Sequence, residues 1–180
     1  MITIEHANIN YLTKQEIEQI HQLMVQAYAA TETEIWGDNY VRMELDAFID
    51  LLKNSCIQLA RLHGEIVGSI ATTQIDKESY GFGLLNVHAS KGGKGIGKML
   101  IEASESFALK KGAKYMKIEI LRPSNLEVPQ KAMLAKWYAS LGYEFVKSMR
   151  FEDLKVSQAE KALKLIAPAH FDCYIKSLRP

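Results

Sequence analysis

Hydrophobic positions along the chain change period repeatedly, and each change marks a new element. Residues 2 to 7, ITIEHA, alternate weakly between apolar and polar and predict a short strand. Thr13-Lys14-Gln15-Glu16 then spells a capping box ahead of Ile17, Ile20, Met24 and Ala27. That pattern predicts a helix, because the box satisfies amides that a helix start leaves unpaired. Leu45, Phe48, Ile49 and Leu52 recur at helical spacing and predict a second helix over about Tyr40 to Asn54. Past Asn54 the period shortens. CIQLARL and IVGSIATTQI flank His63-Gly64-Glu65 as a hairpin with Gly64 in its turn, and YGFGLLNVHA follows as a third strand.

From Gly95 the helical period returns, with Ile96, Leu100, Ala103 and Phe107 on one face and a stop at Gly112 after Lys110 and Lys111. AKYMKIEIL reads as a strand. Pro129 suits the first turn of a helix whose Met133, Trp137 and Leu141 repeat every fourth residue before Gly142, and YEFVKSMRF resumes strand character. Ser157-Gln158-Ala159-Glu160 is a second capping box, opening a short helix that Pro168 closes, and FDCYIKSL is the last strand. The order β α α β β β α β α β α β joins an antiparallel meander to crossover units. It predicts an α/β (α+β) class with a mixed sheet carrying helices on its faces.

Composition narrows the class without naming a chemistry. The 180 residues suit one domain over 1–180, and 48% hydrophobic with 24% charged residues is ordinary for a globular chain. The 22 basic and 21 acidic side chains nearly cancel, against a nucleic-acid or membrane-surface partner. MITIEHANIN lacks the basic start and apolar core of a signal peptide, and no apolar run approaches about 18 residues, so a cytoplasmic location is expected. Cys56 and Cys173 lie in separate apolar runs, as reduced buried thiols would, and give no metal site.

One stretch departs from this average. VHASKGGKGIGKML carries four glycines and three lysines within the eight residues Lys91 to Lys98, with no acid between Val87 and Ile101. A strand that ends in such a loop and opens a helix leaves backbone N–H groups converging at the positive end of the helix dipole. Glycines let an anion approach them closely, so phosphate or pyrophosphate is the expected guest. Gly92 to Lys98 fits the start of a nucleoside-triphosphate loop, but Met99 stands where a magnesium-binding hydroxyl is required. A dinucleotide fingerprint begun at Gly93 or Gly95 would have Lys98 or Leu100 as its third glycine, and fails.

Val87-His88-Ala89-Ser90-Lys91-Gly92-Gly93-Lys94-Gly95-Ile96-Gly97 instead resembles the Q/R-x-x-G-x-G/A loop of the GNAT superfamily of N-acetyltransferases. Trp137-Tyr138-Ala139-Ser140-Leu141-Gly142-Tyr143 is similar to that superfamily's second signature, F/W-Y-x-x-x-G-F/Y. The resemblance runs from about Cys56 to Phe151, with a weaker match in the tail. It implies a mostly antiparallel sheet of six to seven strands with helices on both faces, splayed at an acyl-coenzyme A site. It also implies acetyl-CoA as co-substrate, no metal, and an amine acceptor that is a small molecule or a peptide. Gly92 stands where the superfamily has Gln or Arg, so one side-chain grip on the diphosphate is absent.

The resemblance implies roles residue by residue. Gly92, Gly93, Lys94, Gly95, Ile96, Gly97 and Lys98 form the diphosphate loop, with Lys91 adding charge, and Leu85, Asn86 and Val87 pair with the pantetheine arm. Asn125, or equally Ser124, lies near where relatives contact that arm. Tyr138 matches the general acid that protonates the leaving thiolate, since a thiol titrates near ~8.5 and an attacking alkyl amine near ~10. Several relatives place a Glu base where this chain has Asn86. Glu119, His88 or ordered water are the alternatives, Glu119 with a solvated or salt-bridged carboxylate as its plainer reading. ATETEIWGDNY gathers Glu32, Glu34, Trp36 and Asp38, a set able to hold a cationic amine or to form an acidic loop. A non-catalytic coenzyme A-binding sensor or interaction module is the rival function, and a homodimer by final-strand exchange or edge pairing stays open.

Overall fold

The computed structural model describes residues 1–54, 56–155 and 158–178. In chain order its elements are β1 (Ile2–His6), α1 (Lys14–Ala29), α2 (Thr33–Trp36), α3 (Leu45–Asn54), β2 (Cys56–Leu62), β3 (Glu65–Gln74), β4 (Ser79–Val87), α4 (Ile96–Lys110), β5 (Tyr115–Pro123), α5 (Pro129–Ser140), β6 (Glu144–Arg150), α6 (Phe151–Leu154), α7 (Ala159–Ala162) and β7 (Ala169–Ser177). Among the described residues seven strands make a mostly antiparallel sheet, the α/β class expected. The chain divides into two compact units, one of Met1–Tyr28 and Val41–Met116 with Leu178, the other of Ala29–Tyr40 and Lys117–Ser177.

The first unit carries β1-β2-β3-β4, each antiparallel to the next. The β2–β3 turn places His63 at φ 53 and Gly64 at φ 88, the doubly left-handed geometry whose twist matches two-residue hairpins. Ile20, Leu23 and Met24 of α1 and Phe48 and Leu52 of α3 bury against Ile57, Leu59, Ile66 and Ala71. The helix α3 is shorter than expected, starting at Leu45, and the ring of His21 meets the Met43 carbonyl just ahead of it at 2.7 Å. On α4 the buried face is Ile96, Leu100, Ile101, Ser104 and Ala108, so the expected stripe through Ala103 and Phe107 is rotated. Ser104 enters because its hydroxyl has a buried partner, Thr72, at 2.7 Å.

The capping box forms as read. The Thr13 N–H donates to Glu16 at 2.9 Å and the Glu16 N–H to the Thr13 hydroxyl at 3.2 Å. The Thr13 amide, and then the Arg61 guanidinium, hold the Glu16 carboxyl below the usual range. That contribution is therefore present above the unfolded carboxyl's pKa and is lost as pH falls through the lower folded one. Thr13→Ala is expected to cost about 1 kcal/mol, read from the urea midpoint at constant m-value. Burial pushes the Cys56 thiol up to about 11, as suits a reduced core residue.

The second unit orders its strands β5-β7-β6, with a bulge in β6 between Phe145 and Lys147. Ile35, Trp36, Leu121, Phe151, Ala169 and Phe171 form its core. The strand expected through Phe151 stops at Arg150, because Phe151 turns inward between Trp36 and Phe171, with centroids at 5.6 and 5.4 Å. The short helix expected before Pro168 appears as α7, preceded by the separate turn α6. Ser157 of its capping box lies outside the described residues. The expected inward stripe of α5 is overturned: Met133 is 70% exposed, whereas Tyr138 is buried beside Tyr143 at 5.8 Å. Among the described residues no helix is long and apolar enough to cross a membrane.

Candidate active site

In the first unit the strand entering the glycine loop is broken by a bulge. Ser69 pairs with Asn86, but Ala71 pairs with Gly83, so β4 carries one residue more than β3 across that interval. Leu84 sits there at φ 53, a left-handed conformation that a leucine adopts only when its surroundings impose it. The Asn86 amide braces it. Its Nδ2 donates to the Leu84 carbonyl and to the Ser69 hydroxyl, both at 2.8 Å. A carbonyl only accepts, so the nitrogen must face Leu84, and Oδ1 is left buried without a partner among the described residues. Leu85 and Val87 stay half-buried beside it.

Beyond β4 a single turn over Ala89–Lys91 leads into the glycines. Gly93 and Gly95 adopt φ 74 and 75, and a Cβ on either would meet nothing within 4 Å, so the space above them is open. The first helical bond of α4 is the Met99 N–H donating to the Gly95 carbonyl at 3.0 Å. Among the described residues the amides of Gly93, Lys94, Gly95, Ile96, Gly97 and Lys98 have no protein acceptor. Ile96, 2% exposed, anchors the helix start in the core, while Gly92, Lys94 and Lys98 face solvent. Together with Lys91 and the dipole of a 15-residue helix, these amides make an anion cradle. His88 supports the turn: its Nδ1 accepts from the Ser90 N–H at 3.2 Å and meets the Ser90 hydroxyl at 2.9 Å.

Tyr138, Glu119 and Asn125 belong to the second unit. Tyr138, not Trp137, is the inward ring of the pair. Glu119 is exposed between buried Ile118 and Ile120, as alternation requires, and Lys155 engages its carboxylate at 2.7 Å. Asn125 and Ser124 line a cavity of about 480 Å³ with Ile120, Val128, Lys131 and Ala135. The acidic loop divides: Glu34 and Asp38 face solvent, while Glu32 is buried, accepting from the Trp36 indole at 3.0 Å and from Lys131 at 3.1 Å. The cation held by this carboxylate is thus one of the protein's own. Sequence reading passes over Lys131, because it lies 99 residues from Glu32 and helical spacing alone marks it as a solvated position. It likewise passes over the Ser69 contact to Asn86, which depends on strand register.

A bulged strand runs into an unshielded helix start, a strand-loop-helix junction whose free amides are able to accept an anionic ligand. The chain belongs to the acetyltransferase (GNAT) family, whose family model matches residues 17–143. Comparison with curated protein sequences gives no match. Among solved structures, an aminoglycoside 6'-N-acetyltransferase complexed with coenzyme A is similar at TM-score 0.72 and 14% identity, over 99% of this chain and 98% of that one. A GNAT family acetyltransferase from Elizabethkingia anophelis with acetyl-CoA bound gives TM-score 0.66 and 15% identity, over 98% and 97%. An N-acetyltransferase from Staphylococcus aureus Mu50 gives 0.69 and 15%, over 99% of both chains. At these identities the likeness establishes the shared fold.

Proposed function

We propose that the protein transfers the acetyl group of acetyl-CoA directly to an amine of a small molecule or peptide. The observation that carries this reading is the row of acceptorless amides from Gly93 to Lys98, under open space and beside lysines. These residues fit a diphosphate, with Lys91 and Lys94 standing in for the side chain that Gly92 lacks. The bulge leaves Leu84 and Leu85 without register partners on β3, and main-chain groups of Leu85, Asn86 and Val87 are the ones assigned to an extended amide-bearing arm. Bound acetyl-CoA supplies the activated thioester. Tyr138 moves its hydroxyl proton to the departing sulfur, and a Leu85 or Val87 N–H stabilises the oxyanion. Glu119, held by Lys155, contributes charge, and water takes the proton of the attacking amine.

Thermal-shift titration with acetyl-CoA, followed by free-thiol release over a panel of amines, tests the proposal. Stabilisation with amine-dependent release is the expected result. Stabilisation without release across the panel would favour a coenzyme A sensor, the second reading, which Gly92 at the gripping position supports. Gly95→Val tests the loop itself, since a left-handed residue with a Cβ costs about 1–2 kcal/mol and moves the helix start. Acetyl-CoA affinity should fall by about tenfold or more by calorimetry. Gly83→Ala, exposed and with open space for its Cβ, should leave it unchanged.

A further inference from the structure

We propose a further chemistry in the unit containing residues 117–177, at the cavity whose Ser124 and Asn125 the family resemblance also sets near the pantetheine arm: Ser124 is a nucleophile with His170 as its base, and in the absence of that arm the pair hydrolyses carboxylic esters of short apolar acids. The Ser124 hydroxyl is hydrogen-bonded to His170 Nδ1. The two residues are 46 positions apart, so tertiary structure and not a local turn brings them together. The Ser124 N–H donates to the Pro168 carbonyl at 2.8 Å, which fixes the nucleophile's backbone. His170 sits on β7, paired with Arg150 of β6, on a rigid strand. A hydroxyl held against an imidazole nitrogen is the arrangement by which a serine is activated.

The surroundings suit an ester. Ser124 lines the cavity of about 480 Å³, within the range of small-ligand sites of roughly 300–1,000 Å³. Ile120, Val128, Ala132 and Ala135 give it an aliphatic wall for an acyl chain. Among the described residues the amides of Asn125 and Leu126, directly after the nucleophile, have no acceptor and are available to an oxyanion. Asp172, also in the wall, does not compete for the serine, because its oxygens accept from Arg122 at 2.7 Å and from Ser148.

The steps balance with water as the only co-reactant. Ser124 Oγ attacks the ester carbonyl as its proton passes to His170 Nδ1. The carbon–oxygen bond to the alcohol breaks, and the alcohol leaves with that proton. Water then gives a proton to His170 and adds to the acyl-Ser124 ester, releasing the carboxylic acid and restoring the Ser124 hydroxyl.

A fluorophosphonate probe tests the pair directly, since phosphonylation of an activated serine forms an oxygen–phosphorus bond, expels fluoride and leaves a stable mark. Tandem mass spectrometry of the labelled wild type should place the probe on Ser124. Labelling at that position should be abolished in Ser124→Ala, and in His170→Ala it should slow by about a hundredfold. Turnover of p-nitrophenyl acetate should fall in parallel, in variants whose melting curves show them folded. A wild-type protein left unlabelled at Ser124, in a tube where an added serine esterase is labelled, overturns the proposal whatever the variants do. Unchanged labelling in folded His170→Ala overturns the role of the base.

Discussion

Tyr138→Phe is expected to lower kcat for amine acetylation by about a hundredfold or more, because it removes the one hydroxyl proposed to protonate the departing thiolate. The ring itself stays. Its edge contact with Tyr143 at 5.8 Å and its tilted contact with Trp137 at 5.3 Å do not need the oxygen, and the melting curve of the variant shows whether the fold is kept. The loop amides that carry the proposed cofactor site are also untouched, so the thermal shift with acetyl-CoA should match that of wild type. The informative result is therefore a split: kcat falls while cofactor stabilisation holds. Equal turnover in the two proteins would remove Tyr138 from proton transfer and leave it a core aromatic.

Glu32→Ala should produce the largest loss of stability, about 4 kcal/mol by urea denaturation. The Glu32 side chain is 3% exposed and that of Lys131 11%, so the substitution strands an ammonium out of water. It also removes the acceptor of the Trp36 indole. Attraction between the two charges is not by itself a large gain over a hydrophobic pair. The cost comes from leaving one charge unpaired. The double variant Glu32→Ala with Lys131→Met should therefore recover most of the loss. If the single variant is as stable as wild type, the pair is solvated in solution and does not fix α5 to the loop of residues 29–40.

The elements most legible in the sequence are those whose signal is local. Thr13 and Glu16 are three residues apart and bond each other, so the box they spell is the box they form. Gly64 reads as a turn and supplies one, because a left-handed φ is chemically marked in the residue. The glycine loop was legible for the same reason, and so was the alternation that leaves Glu119 on the exposed face of β5. Where burial depends on tertiary neighbours, periodicity does not mark the buried face. On α5 the fourfold repeat of Met133, Trp137 and Leu141 pointed inward, but the structure buries Tyr138, because the inward face is chosen by Tyr143 arriving after the turn. At Phe151 the apolar run looked like strand, yet an aromatic slot between Trp36 and Phe171 ends it.

The same division runs through the chemistry. Residue type and short-range spacing mark the glycine loop and its lysines, because backbone amides at a helix start need only glycine and a capping geometry to be exposed. Tertiary structure alone decided which polar groups are occupied. Lys155 takes Glu119, Lys131 takes Glu32, His170 meets Ser124, and Asn86 clamps a bulge that follows from the pairing of β3 with β4. Each of these partnerships joins side chains that register or burial brings together, and the energy of a buried charge or amide depends on the partner found there, which no spacing along the chain encodes.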